Sequence, residues 1–331
     1  MSLSLITGGA GFIGSHLAEY LLDAGEEVLV LDNLSTGRFD NIRHMVGRGR
    51  FSYVLADLAE DDAIEEAIDR ADCVYHLAAA VGVMLVVEDP VHTIETNIEG
   101  SGRVLRLAAR RGKPVLVTST SEVYGKSTAI PFGEDDDSVY GPTSRSRWSY
   151  AFSKAVDEFL ALAYHEFKGL PVVIARLFNT VGPRQVGRYG MVIPRFIKQA
   201  YEGGPITVYG DGEQSRCFCH VADVVPALHR LMSTPGAAGK VVNLGSDHEI
   251  TINALADQVR ARFGPNVEIQ HIPYAEAYRH GFEDMRRRVP CIDLARRLIG
   301  FRPQRCLCEI LDDMSMYYKD TVLATMEMSH D

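Results

Sequence analysis

Tyr150 and Lys154 stand four residues apart in Tyr150-Ala-Phe-Ser-Lys154, a spacing that puts both side chains on one face of a helix. The chemistry open to such a pair is proton transfer. A phenol whose ordinary pKa is about 10 becomes a usable base at neutral pH when a nearby ammonium stabilises its phenolate. The preceding apolar run ends in Thr118-Ser119-Thr120-Ser121-Glu122-Val123-Tyr124-Gly125, which would deliver hydroxyls and a carboxylate to the carboxyl edge of a sheet. Thr120 is then placed to share a proton with a substrate hydroxyl.

A second group of residues points to a dinucleotide. Gly8-Gly9-Ala10-Gly11-Phe12-Ile13-Gly14 follows the first apolar run and opens a helix near Ser15. Glycines there allow a tight turn and a close approach of the backbone to a pyrophosphate, which sits on the helix amides and the positive end of the helix dipole. Asp32 ends the second run. A carboxylate there accepts hydrogen bonds from ribose hydroxyls and repels a 2'-phosphate, so the cofactor reading is NAD rather than NADP. Asn33 beside it, Asp57 and Leu58 after the third run, Ala78 after the fourth and Lys154 complete the expected cofactor contacts. The bland alternative is a structural turn followed by a surface aspartate.

These residues need a scaffold that brings strand ends and helix starts together. The first half alternates short apolar runs (LSLIT, EVLVLDN, FSYVLAD, CVYHLAAA, KPVLVTST) with amphipathic stretches (GSHLAEYLLDAG, AIEEAIDRA, GSGRVLRLAARRG). A further pair comes next, YAFSKAVDEFLALAYHEFKG and LPVVIARLFN. That rhythm predicts an α/β fold, a Rossmann-type doubly wound parallel sheet over residues 1–179. From about 180 the chain reads as a smaller mixed α/β lobe, 180–331, with the run KVVNLGS near 240–245 returning to the sheet. His76 faces the sheet interior and reads as a satisfied core histidine.

Composition narrows the partners. The chain has 331 residues, 46% hydrophobic and 24% charged, in the range of ordinary globular proteins, and a formal net charge of -10. That charge argues against nucleic acid or an anionic membrane as a partner. No apolar stretch is long enough to span a bilayer, and no leader pattern precedes the first strand. Six cysteines fall short of a disulfide framework and suit a reducing cytoplasm. The Cys-x-Cys spacings at 217/219 and 306/308 are tighter than zinc sites use, so no metal is expected. Apolar stripes on both sides of the stretches near 100–111 and 150–168 predict a homodimer.

Taken together, GGAGFIG, Asp32, HLAAA at 76–80, the STSEVYG strand, Tyr150/Lys154 and RLFNTVGPR resemble the extended short-chain dehydrogenase/reductase family, over essentially the whole chain. The resemblance implies NAD, a UDP-sugar substrate bound by the C-terminal lobe, and a first step in which the tyrosine takes the C4 hydroxyl proton while C4 is oxidised. The fate of the resulting 4-keto sugar depends on the residues around Glu122. Family dehydratases carry Thr-Asp-Glu there, and 4-epimerases lack the carboxylate. Thr120-Ser121-Glu122 is similar to the UDP-glucuronate decarboxylases, as are Arg147-Trp148-Ser149-Tyr150, Gln214-Ser215-Arg216-Cys217-Phe218, and Tyr278-Arg-His-Gly281-Phe-Glu-Asp284 with Arg288-Val289-Pro290.

On that resemblance Thr120, Glu122, Tyr150, Lys154 and Arg288 are the expected catalytic set, and Ser121, Asn179, Arg184 and Arg216 the expected substrate contacts. The implied reaction is decarboxylation of UDP-glucuronate to UDP-xylose or a UDP-4-keto-pentose. A UDP-hexose 4-epimerase, an NDP-sugar 4,6-dehydratase and a non-catalytic NAD(H) sensor are the alternatives. Two departures from the pattern bear on the sugar: Cys291 stands where the family has an aspartate after Arg-x-Pro, and Val81-Gly82-Val83-Met84-Leu85 is apolar. An apolar wall near C6 suits a hexose or an acetamido sugar better than a carboxylate.

Overall fold

Short β-rich runs bounded by turn residues become strands here: Leu3–Thr7 (β1), Glu27–Asp32 (β2), Phe51–Leu55 (β3), Cys73–His76 (β4), Val115–Thr120 (β5), Val172–Leu177 (β6) and Lys240–Leu244 (β7). They form one parallel seven-stranded sheet in the order β7-β6-β5-β4-β1-β2-β3. This computed structural model describes residues 2–81, 89–187, 191–277 and 285–328 of the chain. Because the strands are parallel, Thr7, Asp32, His76 and Thr120 all end on one edge, and the chain reverses its strand order beside β1, where open α/β sheets leave a crevice.

Helices cover both faces. Phe12–Asp23 (α1) packs on one side of the sheet, and Asp61–Arg70 (α2), Pro90–Arg111 (α3) and Ser149–Lys168 (α4) pack on the other. Two later helices, Val221–Ser233 (α6) and Asp293–Ile299 (α8), share the α1 side, where Val224, Leu228, Ile292 and Ala295 join the core built on Ile6, Val30 and Leu116. The chain before, between and after them builds a second core from Val192–Tyr201 (α5), Ile252–Phe263 (α7) and Leu307–Met328 (α9), with Phe196, Leu255 and Ile310 buried at its centre. The parallel pair Ile206–Tyr209 with Ile269–Ile272 edges this unit, and Ser215–Cys217 pairs antiparallel with Glu249–Thr251.

One element differs in extent from its sequence pattern. The stretch starting at Gly100 is the second half of α3, which begins at Pro90. Its start is set by local chemistry rather than by apolar period: the Asp89 carboxylate accepts a hydrogen bond from the His92 amide at 3.0 Å, and Pro90 fills the first helical position, where no amide partner is needed. Gly112, with φ 65°, ends the helix in the left-handed conformation. Among the described residues no helix is long and apolar enough to cross a membrane. Cys306 and Cys308 are joined by a disulfide that spans two residues and ties no distant segments together, while Cys73, Cys217, Cys219 and Cys291 are free.

Candidate active site

A cavity of about 370 Å³ opens between the carboxyl edge of the sheet and the second unit. Its walls bring together Phe12 and Ile13 from the glycine loop and α1, Thr120, Ser121 and Glu122 from the end of β5, and Tyr150 and Lys154 from the first turns of α4. Asn179, Arg216 and Arg288 close it from the later chain. Parallel strands aim their ends at one edge, and the next helices start there, which is why residues far apart in sequence converge.

The glycine loop is shaped for close approach. Gly8 has φ 72°, and a Cβ on it would lie 2.7 Å from the Ala78 nitrogen. A Cβ on Gly14 would lie 2.2 Å from the Gly8 carbonyl oxygen, so that position excludes any side chain. Gly11 caps the start of α1 in an extended conformation, with no side chain capping the first amides. The Asp32 carboxylate accepts hydrogen bonds from the amides of Ala10 at 2.9 Å and Leu34 at 2.7 Å, which fixes it at the loop's rim. Burial pushes its carboxyl pKa up and these amides oppose the shift. A bare backbone cradle at a helix start, with a carboxylate beside it, fits a dinucleotide pyrophosphate and ribose.

Strand β5 ends in a 3-10 turn, Ser121–Tyr124, capped by Thr120, whose Oγ1 accepts a hydrogen bond from the Glu122 amide at 3.2 Å. That turn swings Glu122 inward to meet Arg288, with Nη1 2.6 Å from Oε1 and the two side chains 10% and 9% exposed. Arg288 is thus no solvated member of its basic triplet. Arg286 and Arg287 are, paired at the surface with Asp211 and Glu249.

Behind the cavity α4 carries two consecutive acids. Asp157 pairs with Lys154, and Glu158 makes a two-pronged pair with Arg176 on β6, which also donates to the Tyr124 hydroxyl. His76 bridges the Thr7 hydroxyl at 2.8 Å and the Ser101 hydroxyl at 3.0 Å. Burial, with the nearby Lys154 charge, drives its pKa down to about 3, so it is a neutral core histidine.

The remaining expected residues are spread along the crevice and its far wall. Asn33 donates to Asp57 at 2.6 Å, and Leu58 lies against Gly100 of α3. The Asn179 side chain donates to the Cys217 carbonyl, and Arg216 donates to the Ser215 and Met285 carbonyls. Arg184, at φ 69°, pairs with Glu19 of α1 at 2.6 Å and donates to the Ser15 hydroxyl at 3.4 Å. The apolar segment 82–85 and the Tyr278–Asp284 motif lie outside the described residues.

Sequence reading passed over Arg195, which lines the cavity with its guanidinium 3.8 Å from the Tyr209 ring centre, and Asp157. An arginine in an apolar helix, Val-Ile-Pro-Arg-Phe, was the available signal for the first, and the Lys-x-x-Asp spacing for the second.

Comparison with known proteins agrees with this geometry. Residues 4–245 match the model of the NAD dependent epimerase/dehydratase family. The chain is 42% identical over 300 residues to a UDP-N-acetyl-alpha-D-glucosaminuronate decarboxylase of Bacillus cytotoxicus, covering 90% of this chain and 92% of that protein. It is 37% identical to UDP-glucuronic acid decarboxylase 1 of Arabidopsis thaliana over 96% of this chain and 70% of the relative. Among solved structures, UDP-glucuronic acid 4-epimerase from Bacillus cereus in complex with UDP-glucuronic acid and NAD superposes with a TM-score of 0.86 at 27% identity, covering 96% of this chain and 99% of that one.

Proposed function

Because the chain belongs to the NAD dependent epimerase/dehydratase family, we propose that it is an NAD-dependent UDP-uronate decarboxylase that converts UDP-glucuronate to UDP-xylose or its 4-keto precursor. The observation that carries this reading is the buried Glu122–Arg288 pair standing in one cavity with Thr120, Tyr150 and Lys154. An epimerase needs no such pair, and a dehydratase needs an acid where Ser121 stands. The decarboxylase relatives, at 37% and 42% identity over most of the chain, support the same choice.

In this reading Gly8, Gly11, Phe12, Ile13 and Gly14 hold the cofactor pyrophosphate and Asp32 the adenosine ribose, with Asn33, Asp57, Leu58 and Ala78 along the rest of the crevice. Bound NAD supplies a reversible hydride acceptor for the sugar C4. Tyr150 takes the C4 hydroxyl proton, with Thr120 sharing it and Lys154 stabilising the phenolate. With C4 a ketone, the C6 carboxylate is β to a carbonyl. The C5–C6 bond breaks, carbon dioxide leaves, and the electron pair delocalises into the 4-keto group as an enolate until C5 takes a proton. Arg288 positions the carboxylate and Glu122 fixes Arg288, while Ser121, Asn179 and Arg216 contact the rest of the UDP-sugar.

The test is to supply NAD with UDP-glucuronate, and in parallel its 2-acetamido counterpart, the uronate in the name of the 42% relative. Carbon dioxide without net NADH marks a pentose-forming enzyme. Carbon dioxide with stoichiometric NADH marks release of the 4-keto product. A new C4 epimer and no gas would overturn the proposal.

The reading includes a cytoplasmic homodimer, with cofactor on the 1–179 part and substrate nucleotide on 180–331. Phe159 and Phe167 of α4 are 76% and 74% exposed, and Val156 of α4 and Val91 and Ile94 of α3 are also exposed. Covering such a face is worth about 25 cal/mol per Å² of apolar surface, so a second copy of the same face is its natural partner. Sedimentation at micromolar concentration is expected to give a two-chain species, and a Phe159→Glu variant a single chain.

A further inference from the structure

The Lys154–Asp157 pair deepens the proposed function and rests on its assignment of Tyr150 and Lys154. Nζ lies 2.7 Å from Oδ2, and the two side chains are 3% and 1% exposed. Burying an ammonium and a carboxylate costs several kcal/mol per ion, which the pairing offsets only in part, so packing alone gives no reason for an acid here. The geometry points to Asp157 as the built-in counter-ion of Lys154, a positioning residue that keeps the active-site ammonium charged and aimed into the cavity.

The surroundings leave that task to Asp157. From α3, the Ser101 hydroxyl lies beside the Asp157 carboxylate. From β4, His76 faces the Lys154 charge but is held neutral by burial. On α4 itself, Glu158 is engaged by Arg176 from β6 and by the Ser119 hydroxyl from β5, and Tyr150 is the group that the lysine serves. Burial raises the Asp157 carboxyl pKa, and the Lys154 ammonium is the largest influence opposing that rise.

The pairing acts on the ammonium in two ways. Of its three N–H donors, one is fixed to Asp157, and because Lys154 and Tyr150 line the same cavity the other two are left for the phenolate and the cofactor. In addition, a buried amine without a counter-ion, next to a nicotinamide cation, sheds its proton readily. A neutral Lys154 would no longer stabilise the Tyr150 phenolate, and the base would work only at higher pH.

Asp157→Asn keeps the shape and removes the charge. Its kcat at pH 7 is expected to fall about tenfold and to recover toward pH 9, so that the acid limb of the kcat profile moves up by about one pH unit, with KM changed less than about twofold. Asp157→Glu is expected to restore most of the loss. The charge itself is read without turnover by following the ε-13C resonances of the chain's seven lysines, with Lys154 assigned from Lys154→Arg. The Lys154 midpoint in Asp157→Asn should lie at least about one pH unit below wild type.

An unchanged Lys154 midpoint, or a kcat loss equal at every pH, overturns the inference. If Asp157→Asn does not fold, Ser101→Ala must shift the midpoint in the same direction by a smaller amount, and no shift there overturns it equally. A shifted midpoint in a protein that turns over no UDP-uronate would refute the proposed function and leave the counter-ion role standing.

Discussion

Tyr150→Phe is expected to lower kcat by about 10²–10⁴-fold, the range that positioned acid–base groups contribute. The change removes one hydroxyl from the cavity wall and leaves the apolar ring, the glycine loop and Asp32 as they are. NAD affinity, measured by fluorescence titration, should therefore stay within a few-fold of wild type. Substrate binding should also persist if, as proposed, the UDP contacts come from Asn179 and Arg216 on other elements. A loss confined to kcat identifies the hydroxyl as the group acting on the C4 proton. The rival without chemistry, an NAD(H) sensor on the same scaffold, requires the opposite result, since a sensor needs the crevice but not the phenol. Full activity in the phenylalanine variant would remove Tyr150 from the mechanism and force the proton onto Thr120 or Glu122.

The parallel sheet was legible because buried parallel strands read as unbroken apolar runs, and six of the seven lie in sequence with helices between them. The glycine loop and Asp32 were legible because their residue types answer to backbone geometry. Side-chain pairing was not. Asp157 looks in sequence like half of an ordinary surface i,i+3 pair, and nothing in Lys-x-x-Asp says that both partners are buried. The pairing of Arg184 with Glu19 goes with a left-handed backbone at 184, which no residue type announced. Likewise the amphipathic pattern of α6 and α8 tells that they bury a face, but not that the face completes the core of the sheet. Periodicity reports how a segment is covered. The partner that covers it is a tertiary fact.

The Glu122–Arg288 pair offers the second large effect, and stability and activity should separate there. Each side chain is about nine-tenths buried, so removing one partner takes a 2.6 Å ion-pair contact from a charge that stays in a poorly solvated site. Arg288→Met alone, or Glu122→Gln alone, is expected to lose about 3–5 kcal/mol of unfolding free energy. The double variant removes both charges and should lie closer to wild type than either single one, because neither buried ion of the pair remains. Activity should not follow that order. Arg288→Met and the double variant should both lose at least about 10²-fold in carbon dioxide release, since a preorganised cation on the reacting carboxylate is absent in each. Chemical denaturation of the four proteins, run beside a gas-release assay, makes the comparison. If the double variant is restored in stability and remains inactive, Arg288 acts on the substrate and Glu122 holds it there. If the double variant recovers activity together with stability, the pair only maintains the fold of the β5 turn, and the observation on which the decarboxylase reading rests is withdrawn.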